Sequence, residues 1–484
     1  MNNLFNFCLY FANYKKSKCS DLFNEIQSIE NLFYSNISLK LILVIFLIFI
    51  FHYFISKKLL GNIQNKVLIL LSFLTTLFYS IIIIFNSNIL WVDDWSLLDS
   101  LFLKDVTFSN WLFRFAEVHN QSIIKFLVYL SNVILNLDFQ LFNYLSVFFI
   151  YLSSIIFIKI FIKSNLSLPL VVIAILFMFS GKLFPSITQL INISWTLNFL
   201  LISLFSYNLL NNKTYSHYYN FLIIILAPNI FGSGFAILGF SIIFGLYNLR
   251  EKIGLNYIIF SILAFIFAYI LPKFFIPVNN LAEGVGVAID YINIIKIFYF
   301  PGFFGNAFFP WSTIFSLPSL FIGYFQLLIL IYFVIIKKIK IRYFISSNPI
   351  LIISIFTALL VAISRPEISR FIQPRYVTIS ILFQIGFLLF LRDDLKRYLN
   401  KRYKNLFLTC ALIYIFSIGF LTPYLGVHWQ AKRSLVNFQL ENCFKLNVSK
   451  FKCKDLAYEK LFYGGNWYSR SKFNKLIDIL FIEK

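Results

Sequence analysis

The sequence predicts an all-α, polytopic integral membrane protein with about twelve transmembrane helices. Three observations carry that prediction. Of 484 residues, 60% are hydrophobic and only 13% charged, and the mean hydropathy is +0.80, a balance that soluble domains do not reach. Apolar runs of spanning length recur from about residue 38 to about residue 424, with no Gly- or Ser-rich linker and no internal repeat between them. The basic residues fall in short clusters between those runs, as topology signals do. That placement removes nucleic acid as a partner, although the formal charge is +22.

Residues 1–37 form a polar or interfacial segment. Its start, MNNLFNFCLYFANYKKSK, puts the basic residues after the short apolar stretch, the reverse of a secretory signal, so the segment is expected to stay attached and lie on the membrane. The transmembrane domain is expected over 38–425. Its long runs are 38–56, 67–87, 140–162, 255–276, 313–336, 375–391 and 405–424. Shorter or broken runs fill 123–137, 168–183, 193–210, 218–232, 234–248, 292–309 and 348–364, several of them tilted or re-entrant rather than full spans.

The basic connections 56–66, 248–252, 337–342 and 391–404 are expected in the cytoplasm. Alternation then puts a large first loop, 88–122, together with 181–192, 277–290, the arginine loop 365–375 and the tail 426–484 on the outer side. Lys15, Lys16 and Lys18 pull against an outer N-terminus, which is left without an assigned side. Cys443 and Cys453 lie in the tail; an outer compartment permits a disulfide between them, and two free thiols is the other reading.

Two polar segments interrupt the apolar pattern. The first is SNILWVDDWSLLDS, residues 87–100, where Asp93 and Asp94 stand between Trp91 and Trp95 just after a spanning run. The tryptophans suit a membrane interface. The loop continues through Asp99, Asp105, Arg114, Glu117, His119, Asn120 and Lys125. A solvated helix end, with carboxylates near exposed N–H groups, is the plain reading. The chemical one makes Asp93 and Asp94 a general base or the ligands of a divalent metal, Mg or Mn, with Glu117 and His119 assisting proton transfer. No other cofactor is indicated.

The second segment is AISRPEISRFIQPRYVTIS, residues 362–380, with Arg365, Arg370, Arg375 and Tyr376 beside Glu367. Outer loops are ordinarily poor in arginine. A salt-bridged loop using Glu367 is one explanation. The other is a phosphate site, because the guanidinium fork matches phosphate oxygens. Lys125 joins that set as a candidate phosphate contact, although Lys125, Lys182, Lys273 and Lys296 all sit near span ends, where snorkelling toward head groups is the ordinary role. Pro228, Gly232 and Gly234 break an apolar run, which lines a cavity or serves helix packing. Asp393 and Asp394 lie among basic residues and are expected on the surface.

The order of these features resembles bacterial membrane glycosyltransferases of the GT-C superfamily. It runs from WVDDW and EVHNQ through FPSITQLINISWTLNF, NIFGSGF, PGFFGN and SRFIQPRY to a two-cysteine tail, across residues 67–484. The resemblance implies an enzyme of the bacterial inner membrane, active on its outer face in cell-envelope polysaccharide biosynthesis. Such an enzyme transfers a sugar from a polyprenyl-phosphate donor to a glycan, lipid or protein acceptor, with inversion at the anomeric carbon. It also implies that an acid of the first loop deprotonates the acceptor, which falls on Asp93 or Asp94, and that Arg375 meets the donor phosphate. The chain departs from many relatives in carrying Gln121, Ser122 and Ile123 where they have an acid and a His/Arg pair. Two other classes compete: an O-antigen-type polymerase or ligase, which does not need the early double aspartate, and a flippase or transporter, which would carry its ionisable residues near mid-membrane.

Overall fold

Away from water an apolar chain can satisfy its own N–H and C=O groups in a single segment only by forming a helix, and the Ile-, Leu- and Phe-rich runs do so. The computed structural model describes residues 50, 72–73, 107–113, 121–135, 140–178, 183, 192–211, 214–275, 298–308, 316–364, 376–399 and 470–477. Among them every regular element is helical. The chain divides into two units, Met1–Leu60 with Leu77–Asp105 and Val427–Lys484, and Gly61–Thr76 with Val106–Gly426.

In the second unit a short helix α1 (Phe108–Phe113) leads to α2 (Ser122–Leu135), α3 (Gln140–Lys163) and α4 (Leu168–Met178). Next come α5 (Ile193–Asn211), α6 (Thr214–Ile230), α7 (Phe235–Tyr247) and α8 (Lys252–Phe265), which runs through a π-helical stretch, Ile266–Ile270, into α9 (Leu271–Phe275). After α10 (Gly302–Gly305) follow α11 (Ser316–Ile336), α12 (Ile341–Ser347), α13 (Pro349–Ser364), α14 (Val377–Phe390) and α15 (Arg392–Leu399). The first unit contributes one described helix, α16 (Arg470–Ile477).

Helices α5 and α14 form the centre. α5 packs against α3, α6, α13 and α14, and α14 against α13, α10 and α4. All ten residues from Val377 to Gly386 are buried. Several hydroxyls inside the bundle return to their own helices: Ser154 donates to the Tyr151 carbonyl at 2.7 Å, Ser203 to Leu200 at 2.7 Å and Thr357 to Ile353 at 2.8 Å. A polar side chain is thereby buried without needing a partner from another helix.

The rim is apolar and uncovered. Along α11, Leu317, Phe321, Phe325, Leu328, Tyr332 and Ile335 recur at helical spacing, each between 59% and 77% exposed. The span Lys252–Lys273 likewise exposes Leu255, Ile259, Ile262 and Phe267. Continuous apolar faces of this extent suit hydrocarbon as their solvent.

Among the described residues, four helices are long and apolar enough to cross a bilayer: Leu141–Lys163, Ile193–Asn211, Lys252–Lys273 and Leu317–Ile336. Ile341–Ser347 with Pro349–Ile363, bent by 91°, makes a fifth if counted as one broken span. The described residues therefore hold four or five such helices where the sequence predicts about twelve spans along the whole chain; of the expected spans 38–56, 67–87 and 405–424, only residues 50 and 72–73 are among them. Several other expected spans fold as shorter helices, for local reasons. Pro349 starts α13 and restrains the backbone of Asn348 before it. Phe231 is extended (φ −166°, ψ 160°) and separates α6 from the 3₁₀ turn Gly232–Gly234. The 14 residues of α14 reach only about 21 Å at 1.5 Å per residue.

One end of the bundle collects the basic connections. Arg342 donates to Asn248 Oδ1 at 2.9 Å and Glu251 Oε1 at 3.0 Å, tying the start of α12 to the α7–α8 turn. Lys337 pairs with Asp394, so one member of the Asp393–Asp394 pair, expected to be plain surface, links α11 to α15. Lys163 bonds the Leu210 carbonyl and Asn211 Oδ1, joining the ends of α3 and α5. α3 and α11 both close with a left-handed residue, Asn165 at φ 52° and Lys338 at φ 48°. In each, the paired backbone bonds of a Schellman turn satisfy the last carbonyls, Leu166 N–H to Phe161 and Asn165 N–H to Ile162, Ile339 to Val334 and Lys338 to Ile335.

Candidate functional site

At the opposite end, four segments singled out in the sequence meet. NISWTLNF supplies Trp195 and Asn198 at the start of α5, and NIFGSGF supplies Phe231 and Ser233 in the break after α6. PGFFGN supplies Phe303 in α10, and SRFIQPRY supplies Tyr376 at the start of α14. The Trp195 ring lies 4.9 Å from that of Phe231 and 5.5 Å, edge-on, from that of Tyr376. Tyr376 in turn stands edge-on to Phe303 at 5.5 Å. These are the distances and angles at which aromatic quadrupoles attract. Asn198, 1% exposed, donates through Nδ2 to Ser233 Oγ at 2.9 Å, while its Oδ1 has no hydrogen-bond partner. Thr378 Oγ1, two residues beyond Tyr376, is also buried without one.

A close backbone crossing makes this break. A Cβ on Gly234 would stand 2.1 Å from the Ala227 carbonyl oxygen, inside contact distance, so only glycine lets the chain turn back at that point. Pro228, lacking an N–H, removes one helical bond from the same turn of α6.

Beneath the rings lies a polar ladder. Ser380 Oγ donates to the Phe304 carbonyl at 2.6 Å and accepts the Ala307 N–H at 2.9 Å, and Gln384, one turn on, donates to the same carbonyl at 2.8 Å. Gln384 and Gln326 exchange amide bonds at 2.9 and 3.1 Å. α10, α11 and α14 are thus fixed against one another just below Tyr376.

Of the candidate catalytic and phosphate-binding residues, Tyr376 and Lys125 are described. Tyr376, expected to contact a phosphate, is 4% exposed and packed among rings at the start of α14. Lys125, expected to snorkel or to meet a phosphate, is 3% exposed, and its ammonium donates to the Trp111 carbonyl at 2.7 Å. Its side chain turns inward because α1 packs over the start of α2 and offers that carbonyl. Asp93, Asp94, Glu117, His119, Arg365, Arg370, Arg375, Cys443 and Cys453 lie outside the described residues. So does the expected metal site at Asp93 and Asp94; among the described residues no three His, Cys, Asp or Glu side chains gather.

Reading residues one at a time missed Trp195, Phe231, Phe303 and Asn198. Aromatic residues are so frequent here, 63 Phe and 28 Tyr, that no single ring stands out. The signal lay in the segments, each a polar or glycine interruption of an apolar run. A second buried polar group, at the basic end, is complete in itself: Tyr257 Oη lies 3.0 Å from both His217 Nδ1 and Asn220 Nδ2, and Asn208 donates to Asn220 at 3.1 Å. Comparison with protein-family models, with curated proteins and with solved structures returns no match.

Proposed function

We propose that the protein is a membrane glycosyltransferase of GT-C type, which takes a sugar from a polyprenyl-phosphate donor and places it on an outer-face glycan, lipid or protein acceptor. The observation that favours this reading is the meeting of four sequence-separated segments in one buried aromatic cluster. Those segments are among the features whose order resembles the family, and they meet at the end opposite the basic connections. Arg375 immediately precedes Tyr376 in the sequence, and Tyr376 is a member of that cluster. In the proposed reaction a carboxylate of Asp93 or Asp94 takes the acceptor hydroxyl proton as that oxygen attacks the anomeric carbon. The bond from that carbon to the phosphate oxygen breaks, its electron pair stays on the phosphate, and Arg375 stabilises the departing anion.

Transfer from a polyprenyl-phosphate sugar by the purified chain tests this. Asp93→Asn and Asp94→Asn remove a charge with almost no change of shape, and loss of a general base costs about 10²–10⁴-fold in rate. At least one of the two should fall by that amount while remaining inserted and abundant. Arg375→Lys should also lose much of the transfer, because an ammonium cannot reproduce a two-pronged phosphate contact. Full activity in all three variants would refute the reading.

A further inference from the structure

At the basic end of the second unit a cavity of about 280 Å³ lies between the end of α3, the end of α5 and the start of α15. Lys163, Ser164, Asn165, Leu210, Arg392 and Asp393 line it. Its charges are not balanced from within. Lys163 makes its hydrogen bonds to neutral acceptors, the Leu210 carbonyl and, at 2.8 Å, Asn211 Oδ1, so its ammonium is positioned without being neutralised. A third N–H is left over. Arg392 carries five N–H groups, and its contact among the described residues is the neighbouring Asp393 carboxylate at 3.9 Å, beyond hydrogen-bond length, on an acid 74% exposed. Lys159, one turn before Lys163, lies over the Tyr207 ring at 5.7 Å and adds a like charge on the same face of α3. Three cations thus stand against one loosely held carboxylate.

The helix ends bear on which ligand fits. Free carbonyls at the ends of α3 and α5 would repel an anion, but the Schellman turn satisfies those of α3, and Lys163 covers that of Leu210. A metal cation would meet a single carboxylate beside two cations. A phosphate would meet a two-pronged guanidinium and an ammonium already aimed by its other bonds. Position selects the source of that phosphate. α3 and α5 are both long and apolar enough to span a bilayer, and they end at Lys163 and Asn211, which sets the cavity at the depth of lipid headgroups. Ile162, next to Lys163, is 43% exposed and gives an acyl chain an apolar surface beside it. The positive-inside tendency assigns this end to the cytoplasm, the side on which membranes carry anionic lipids.

We propose that this cavity binds the phosphate of an anionic phospholipid, with the Arg392 guanidinium donating to two of its oxygens and the third Lys163 N–H to another. The bound headgroup ties α15 to the ends of α3 and α5. None of the residues assigned to sugar transfer takes part, so the site stands whether or not the protein is a glycosyltransferase.

The test is equilibrium binding to the full chain in detergent, with phosphatidylglycerol, phosphatidylcholine of the same acyl chains and inorganic phosphate as separate probes. Wild type should bind phosphatidylglycerol, with phosphatidylcholine and inorganic phosphate each about tenfold weaker or more, since only the first offers both a net charge and an acyl anchor. Arg392→Gln should weaken phosphatidylglycerol by about tenfold or more through loss of the charged fork. Asp393→Asn removes the competing carboxylate and should tighten it by about two- to fivefold, a gain that a misfolded variant would not give. Arg397→Gln, the same change of charge at an exposed position on α15, should leave binding as it is. Without lipid, Arg392→Gln should melt with wild type, because an exposed ion pair contributes little. Equal losses in Arg392→Gln and Arg397→Gln would mean diffuse surface attraction and overturn the site, as would phosphatidylglycerol binding that neither Arg392→Gln nor Asp393→Asn alters. Phosphatidylcholine binding as tightly as phosphatidylglycerol would overturn the role of charge, and inorganic phosphate binding as tightly would overturn the lipid as its source.

Discussion

Gly234 and Gly239 lie five residues apart in one apolar run, yet their neighbours assign them opposite roles. The first faces a backbone carbonyl at 2.1 Å from the position of a Cβ, and the second meets nothing nearer than a Phe356 ring carbon at 3.9 Å. Gly234→Ala must push α7 off the end of α6, and overpacking of this kind costs about 1–3 kcal/mol or more. Gly239→Ala, inside α7, should be neutral or stabilising by up to about 1 kcal/mol through helix propensity. Thermal unfolding of both variants in detergent checks the pair, and similar midpoints would show that the break is not held by this crossing. Gly234→Ala should also disturb donor binding, since the same break carries Phe231 and Ser233 into the ring cluster.

At the scale of elements, α11 and α14 are joined by the reciprocal Gln326–Gln384 amide pair, with Gln384 also serving the Phe304 carbonyl. Gln384→Leu leaves Gln326 buried without its partner, a loss of about 1–3 kcal/mol. Adding Gln326→Leu should recover part of that loss, because two apolar side chains have nothing left to satisfy. In membrane proteins such pairs couple by about 0.6 kcal/mol on average and up to about 1.7, so a double-mutant cycle should return a positive coupling within that range. Strictly additive costs would mean that packing alone joins the two helices. The polar ladder was legible as spacing, because Ser380 and Gln384 are one turn apart in an otherwise apolar run. Its partners on α10 were not, because no pattern in the sequence says which backbone carbonyl faces that stripe.

At the scale of the whole second unit, the ionic contacts gather the connections at 248–252, 337–342 and 391–394 to one end, and the ring cluster occupies the other. The positive-inside tendency assigns the basic end to the cytoplasm. Single cysteines introduced at Lys340 and Leu440 should therefore label from opposite sides of the membrane, Lys340 from the cytoplasm and Leu440 from outside. The reverse pattern would put the arginine segment in the cytoplasm and remove the outer-face substrate from consideration. The uncovered apolar face of α11 belongs to the same scale, because it requires lipid or detergent around the protein in every one of these measurements.

The sequence by itself determined that the chain is helical and apolar enough for a membrane, and roughly where the long helices lie; α3, the span running from α8 into α9, α11 and α13 begin and end close to the runs that predict them. Hydropathy and helical period are local properties, and a local property can be read along a chain. Tertiary structure decided the rest. Whether an apolar run completes a span or breaks, as α6 does before Gly232, depended on the crossing of Gly234 with Ala227, seven residues before it. Whether Lys125 reached outward or inward depended on where α1 laid the Trp111 carbonyl. The ring cluster required four segments, drawn from between residues 195 and 376, to arrive at one end together. Contact between distant residues is fixed by the packing of whole helices, and no single segment carries that information.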